Sequence, residues 1–232
     1  KGYFVTPVAY VFLVIFLFFA GYLTFTKGDF FKMQQADMRA FFSFMPLLFV
    51  FMVPCTTMRL WSEERKTGSI ELLLTLPITV PQAVLGKFFA AWIFLGIALL
   101  LTFPMPLTVC WLGEPDIGLI VMGYLGTFLM AGGYLAVGSF FSAITKNQVI
   151  SFILAVVACA VLMYIGMPST LDFLASFLPL GLVQAVENMS IQAHFESIQK
   201  GVLEAKDILY YVILMVGWIA AGMIILEERK AA

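Results

Sequence analysis

Four consecutive charges, Glu63, Glu64, Arg65 and Lys66, followed by Gly68 and Glu71, are the densest group of chemistry-bearing side chains in the first half of the chain. Two carboxylates beside two cations, with the one histidine of the chain far away at His194, do not make a catalytic set. Mixed charge at this density suits docking to a partner in water. Beyond Gly68 comes a short apolar run that ends at Pro77. It is too short to cross a bilayer, which takes about 20 apolar residues, and too apolar for a solvated loop. Ile70, Leu73 and Leu76 fall on one side of a helix and can anchor it, while Pro77 disfavours helix at Leu76 and limits its length. Trp61–Pro81 therefore reads as a helix–turn–helix at a membrane surface with a charged face turned to water. An inter-span loop with interfacial anchoring is the plainer reading of the same residues.

The other reactive side chains assemble into nothing. His194 is the single histidine, far along the chain from Cys55, Cys110 and Cys159. All three cysteines lie inside apolar runs, so neither a metal site nor a disulfide framework is expected. His194 reads as a residue of a surface helix. Gly86-Lys87 lacks the leading glycine of a phosphate-binding loop, so the chain is not expected to hydrolyse ATP itself. No catalytic residue and no cofactor are assigned.

The elements that must position the charged stretch are membrane spans. The chain has 232 residues, 62% hydrophobic and 12% charged, with a mean hydropathy of +1.01. Soluble domains are about half apolar and about a quarter charged. A net charge of −1 gives no basic field for nucleic acid. Lys1 is not a start methionine, and the natural N-terminus is expected to extend further. Six spans are expected, at about Tyr3–Phe25, Phe41–Leu60, Gln82–Leu112, Ile117–Ile144, Gln148–Met167 and Ile208–Leu226. Each has to be helical, because lipid offers no partners for backbone groups. The expected fold is an all-α membrane protein forming a single unit over residues 1–232, with a coupling segment at 61–81 and an outer-face segment at 168–207.

Orientation follows from Lys and Arg. One side of the membrane collects Lys1, Arg59, Arg65, Lys66, Lys87, Lys146, Arg229 and Lys230, and the other Lys27, Lys32, Arg39, Lys200 and Lys206. The richer side is cytoplasmic by the positive-inside rule, which puts both termini and Trp61–Pro81 in the cytoplasm. Pro104 and Pro106 remove two backbone donors in the long third span, giving a kink that is either merely tolerated or a hinge. Ser151, Ala155 and Cys159 place small side chains on one face of the fifth span, and Gly132 with Ala136, Gly138 with Ser142, and Gly217 with Ala221 repeat the spacing. Such faces permit close helix approach, within the chain or, for the fifth span, between two chains. In the outer segment the broken apolar run after Pro168 reads as re-entrant or interfacial. Ile191, Phe195, Ile198 and Val202 read as an amphipathic surface helix ended by Gly201, and Asp207 as the N-cap of the last span.

The run SEERKTGSIELLLTLPIT resembles the motif that follows the second span of type-2 ABC permeases. Four further stretches are similar to the branch of that family associated with bacterial gliding motility: TPVAYVF at Thr6–Phe12, WLGEPDIG at Trp111–Gly118, GYLGTFLMAGGYLAVGSFFSAITKNQ at Gly123–Gln148, and HFESIQKGVLEAKDILYY at His194–Tyr211. The resemblance implies a multi-pass protein of the bacterial inner membrane. It implies a coupling helix bearing Glu63, Glu64, Arg65, Lys66, Gly68, Glu71 and Leu72 that docks on a separate ATPase, which binds ATP and Mg. It further implies a second permease subunit, identical or related, and an outer-face accessory protein as a candidate partner. The alternative is a scaffold that moves nothing across the bilayer and relays ATPase motion to outer-face partners.

Overall fold

The computed structural model describes residues 7–28, 37–68, 79–202 and 204–231. These residues form an all-α bundle. In chain order the helices are α1 (Pro7–Tyr22, extended by a π-helical turn Leu23–Lys27), α2 (Arg39–Thr57), α3 (Ser62–Thr67), α4 (Val80–Leu100), α5 (Pro104–Leu112), α6 (Ile117–Ile144), α7 (Gln148–Tyr164), α8 (Pro168–Ala175), α9 (Leu180–Glu187), α10 (Ile191–Gln199) and α11 (Ala205–Ala231). Five helical stretches are long and apolar enough to cross a membrane, and a sixth is obtained if α7 and α8 count as one broken span.

Helix α6 is the axis of the bundle. It packs against α2, α4, α7, α10 and α11, and every residue from Met130 to Ser139 is buried. A helix surrounded on all sides cannot be amphipathic, and α6 answers with small residues. A Cβ on Gly132 would lie 2.6 Å from Sδ of Met215 and 3.0 Å from the Trp92 ring. The indole of Trp92 stacks on Phe128 with centroids 4.6 Å apart, and its N–H donates to the Phe128 carbonyl at 2.9 Å. Bare backbone at Gly132 is what lets α4 and α11 close on α6 at one level.

The third span breaks at 101–103, one turn before the residue types that predict it. Thr102 and Phe103 N–H groups switch to the carbonyls of Leu99 and Leu100, so the helix tightens and ends. Pro104 then starts α5, where its missing N–H and fixed φ suit a first helical position. The hydroxyl groups of Thr102 and Tyr124 lie 2.8 Å apart, tying the break to α6.

Helix α7 ends at Tyr164, short of the expected Met167, and the chain bends by 77° into α8. No residue of α8 and only Val183 of α9 is buried. Helix α10 departs from expectation. Ile191, Phe195 and Ile198 are fully buried, and Ile198 sits against Gly126 of α6. Its apolar face is turned into the bundle and not toward lipid, because α6 offers a bare glycine for it to fill. Val202 lies beyond the helix end and is exposed. Gly201 closes the helix at φ +82°.

Candidate functional site

Helix α3 begins where α2 stops. After Thr57 the chain turns through Met58–Trp61 and re-enters helix at Ser62. Three anchors hold this corner. Ser142 Oγ, on the last turn of α6, accepts from the backbone N–H of Trp61 at 3.0 Å and of Ser62 at 3.2 Å. These are donors at the start of a helix, which have no partner within it. Arg65 donates through Nη1 to the Ala143 carbonyl at 2.5 Å, from the other end of the same turn. Lys87 of α4 donates to the Leu60 carbonyl at 2.8 Å, pairs with Glu64 at 2.5 Å, and sits 3.9 Å above the Trp61 ring. The return into α4 is fixed as well. Thr79 caps the helix and Gln82 accepts from the Thr79 N–H at 3.1 Å, a reciprocal capping box.

The consecutive charges therefore divide. Arg65 is 9% exposed and lies in the interior of the corner, its guanidinium donating to a carbonyl in the last turn of α6. Glu64 is half-buried and engaged by Lys87. Glu63 and Lys66 remain exposed, on a helix whose far end turns at Gly68 with φ +74°, a conformation that disfavours any side chain. Glu71 and Leu72, with Ile70, Leu73 and Leu76, lie outside the described residues. Replacing Ser142 by alanine leaves two buried N–H groups without their acceptor, each costing about 1–3 kcal/mol. A fall in the thermal midpoint of the solubilised protein, with Ser142→Thr retaining most of it, is the expected result.

Ser151, Ala155 and Cys159 do share one face of α7, and all three are fully buried in the chain itself. Helix α7 packs on α2, α6 and α10. Small side chains at this spacing here admit neighbouring helices of the same chain. Exposed on the other side of α7 are Val149, Ile153, Val157 and Val161. Pro104 is exposed and Pro106 buried, on the outward piece of the broken third span.

A second polar knot lies at the opposite end of the bundle. His194 Nδ1 is 2.7 Å from Asp207 Oδ1, and its Nε2 is 3.1 Å from the Asn188 carbonyl. Tyr210 stacks on the imidazole at 4.1 Å and donates to the Met189 carbonyl at 2.6 Å, while Tyr211 donates to that of Ile191 at 3.0 Å. Asp207 is not the cap of the last span. It lies inside the first turn of α11, fully buried, and His194 is its partner instead of an open surface residue. The signal was present in the sequence as Asp207, Tyr210 and Tyr211, whose i, i+3, i+4 spacing puts three hydrogen-bonding groups on one helix face. Lys87 and Ser142 carried fainter signals, a lone cation in an apolar helix and a hydroxyl at the end of a small-residue face.

No curated protein matches the chain. The ABC-permease resemblance stands at the level of the family, whereas its gliding-motility branch is not the one matched. The model described as CcmB protein matches residues 1–158. That is well over half of the 232 residues, and the chain belongs to this family of ABC-type permeases.

Proposed function

We propose that this chain is the permease subunit of a haem-exporting ABC transporter of cytochrome c maturation, driven by a separate CcmA-type ATPase. The observation that carries the reading is the family match over residues 1–158. The corner at Ser62–Thr67 supports it, since a short helix fastened to two spans, with Glu63 and Lys66 left outward, suits a surface that receives force. In this reading the corner and both termini face the cytoplasm, the protein lies in the bacterial inner membrane, and ATP and Mg are bound by the partner ATPase. A second permease subunit, identical or related, completes the path. With the α7 small-residue face occupied, the exposed apolar side of that helix is one surface open to such a contact. The break before Pro104 serves as the hinge of the third span.

Charge reversal at the two outward positions, Glu63→Lys with Lys66→Glu, tests this. Reversed charges at a docking surface should weaken capture of the ATPase from detergent by about tenfold, equivalent to about 1.4 kcal/mol, while the melting temperature of the permease stays put. Capture equal to wild type would remove the docking assignment.

A further inference from the structure

Resting on that reading, we infer that Lys87 is a positioning residue through which motion of the docking corner reaches the third span. Three observations converge on its ammonium. It donates to the Leu60 carbonyl in the turn before α3, it pairs with Glu64 on α3, and it lies over the Trp61 ring between them. One side chain of α4 thus grips the corner at Leu60, Trp61 and Glu64. The other two anchors, Ser142 and the Ala143 carbonyl, both belong to α6. Lys87 is the side chain on α4 whose contacts with the corner are established, so it divides the load. Helix α3 also lies against α6 and α7, and Lys87 adds a direct polar link from the corner to the third span.

The chemistry fits a strut better than a lysine that merely stretches toward water, as many do near span ends. A stretching lysine leaves its ammonium in solvent. The Lys87 side chain is 22% exposed and that of Glu64 28%, and the Trp61 ring beneath is buried. Ammonium, carboxylate, carbonyl and indole face one another in a partly desolvated pocket, where ion pairing and cation–π attraction are stronger than at an open surface. The span that Lys87 would move runs from Val80 to Leu112, and it carries the break at 101–103 and the exposed thiol of Cys110 near its far end.

Cys110 supplies a native reporter. The permease is purified with its ATPase, reconstituted in nanodiscs, and labelled with a small maleimide with and without ATP and vanadate. Cys55 is half-buried and Cys159 buried, and both are replaced by serine or alanine so that Cys110 alone reports. The wild-type complex should show an ATP-dependent change in Cys110 labelling rate. In complexes that retain the ATPase, Lys87→Met should lose that change, and Lys87→Arg, which retains charge and donors, should restore it. If Lys87→Met does not assemble, Lys87→Gln keeps a donor for Leu60 without the charge and should likewise lose the response. A Lys87→Met or Lys87→Gln complex that responds like wild type overturns the inference, as does a wild-type complex with bound ATPase and no response. A chain that captures no ATPase at all overturns the underlying reading instead, so the two failures are told apart.

Discussion

Replacing His194 by leucine is expected to be the most damaging single change in the described part of the chain. Asp207 is fully buried, and in the variant its carboxyl keeps its burial and loses its hydrogen-bond partner. A buried polar group left without its partner costs about 1–3 kcal/mol, and more where it is charged. The geometry points the same way. The two ring nitrogens of His194 lie 2.7 Å from Asp207 Oδ1 and 3.1 Å from the Asn188 carbonyl. Leucine removes both bonds and the stacking with Tyr210. The loss should be largely local at first, since His194, Asp207, Tyr210 and Tyr211 together fasten α10 and the loop before it to α11. Limited proteolysis should cut the 188–202 region sooner than in wild type, and the denaturation midpoint should fall. The pair variant His194→Leu with Asp207→Leu removes the stranded carboxyl and should regain much of the loss, since replacing both partners of a buried polar pair by apolar groups of similar shape can be nearly neutral. A His194→Leu protein with unchanged midpoint would show that the pair contributes little.

That knot also marks where sequence reasoning stopped. The positions of α2, α4, α6 and α11 were legible because a lipid-crossing helix needs a long apolar run, and such runs stand out against charged inserts. The charged corner was legible for the same reason. What could not be read was how consecutive charges divide between inside and outside. Arg65 and Lys66 are adjacent and chemically alike, yet one is buried against the end of α6 and the other is exposed. Only the path of a helix more than seventy residues away decides that. The small-residue face of α7 was seen, but its neighbour was not, since small side chains admit any helix. Amphipathicity misled at α10 because an apolar stripe is the same whether it meets lipid or the flank of α6. Apart from shifts of a few residues at helix ends, such as Tyr164 and Val202, the misses concern partners distant in sequence.

Gly138 joins the fold to the corner, and alanine there should show it. A Cβ at this position would run into the Oγ1, Cβ and Cγ2 atoms of Thr57. Thr57 is the last residue of α2, is fully buried, and donates its hydroxyl to the Pro54 carbonyl at 3.2 Å. Being β-branched it cannot easily rotate away, so the end of α2 has to move. Overpacking of this kind costs about 1–3 kcal/mol. The displacement also has a direction. Thr57 leads straight into Met58–Trp61, and Ser142, which holds the Trp61 and Ser62 N–H groups, lies one turn along α6 from Gly138. Pushing the end of α2 outward therefore stretches the bonds that seat α3. Gly138→Ala should lower both the melting temperature and the capture of an ATPase, whereas the Ser142→Ala change acts on the same seat without shifting α2. Gly217 is the control, because nothing stands within 4 Å of a Cβ there. Alanine at Gly217 should be neutral or stabilising by up to about 1 kcal/mol from helix propensity. Thr57→Ala combined with Gly138→Ala removes the clash and should recover a large part of the loss, a coupling that a double-mutant cycle measures. If Gly138→Ala melts with the wild type and binds the ATPase equally well, α2 does not seat the corner through this contact.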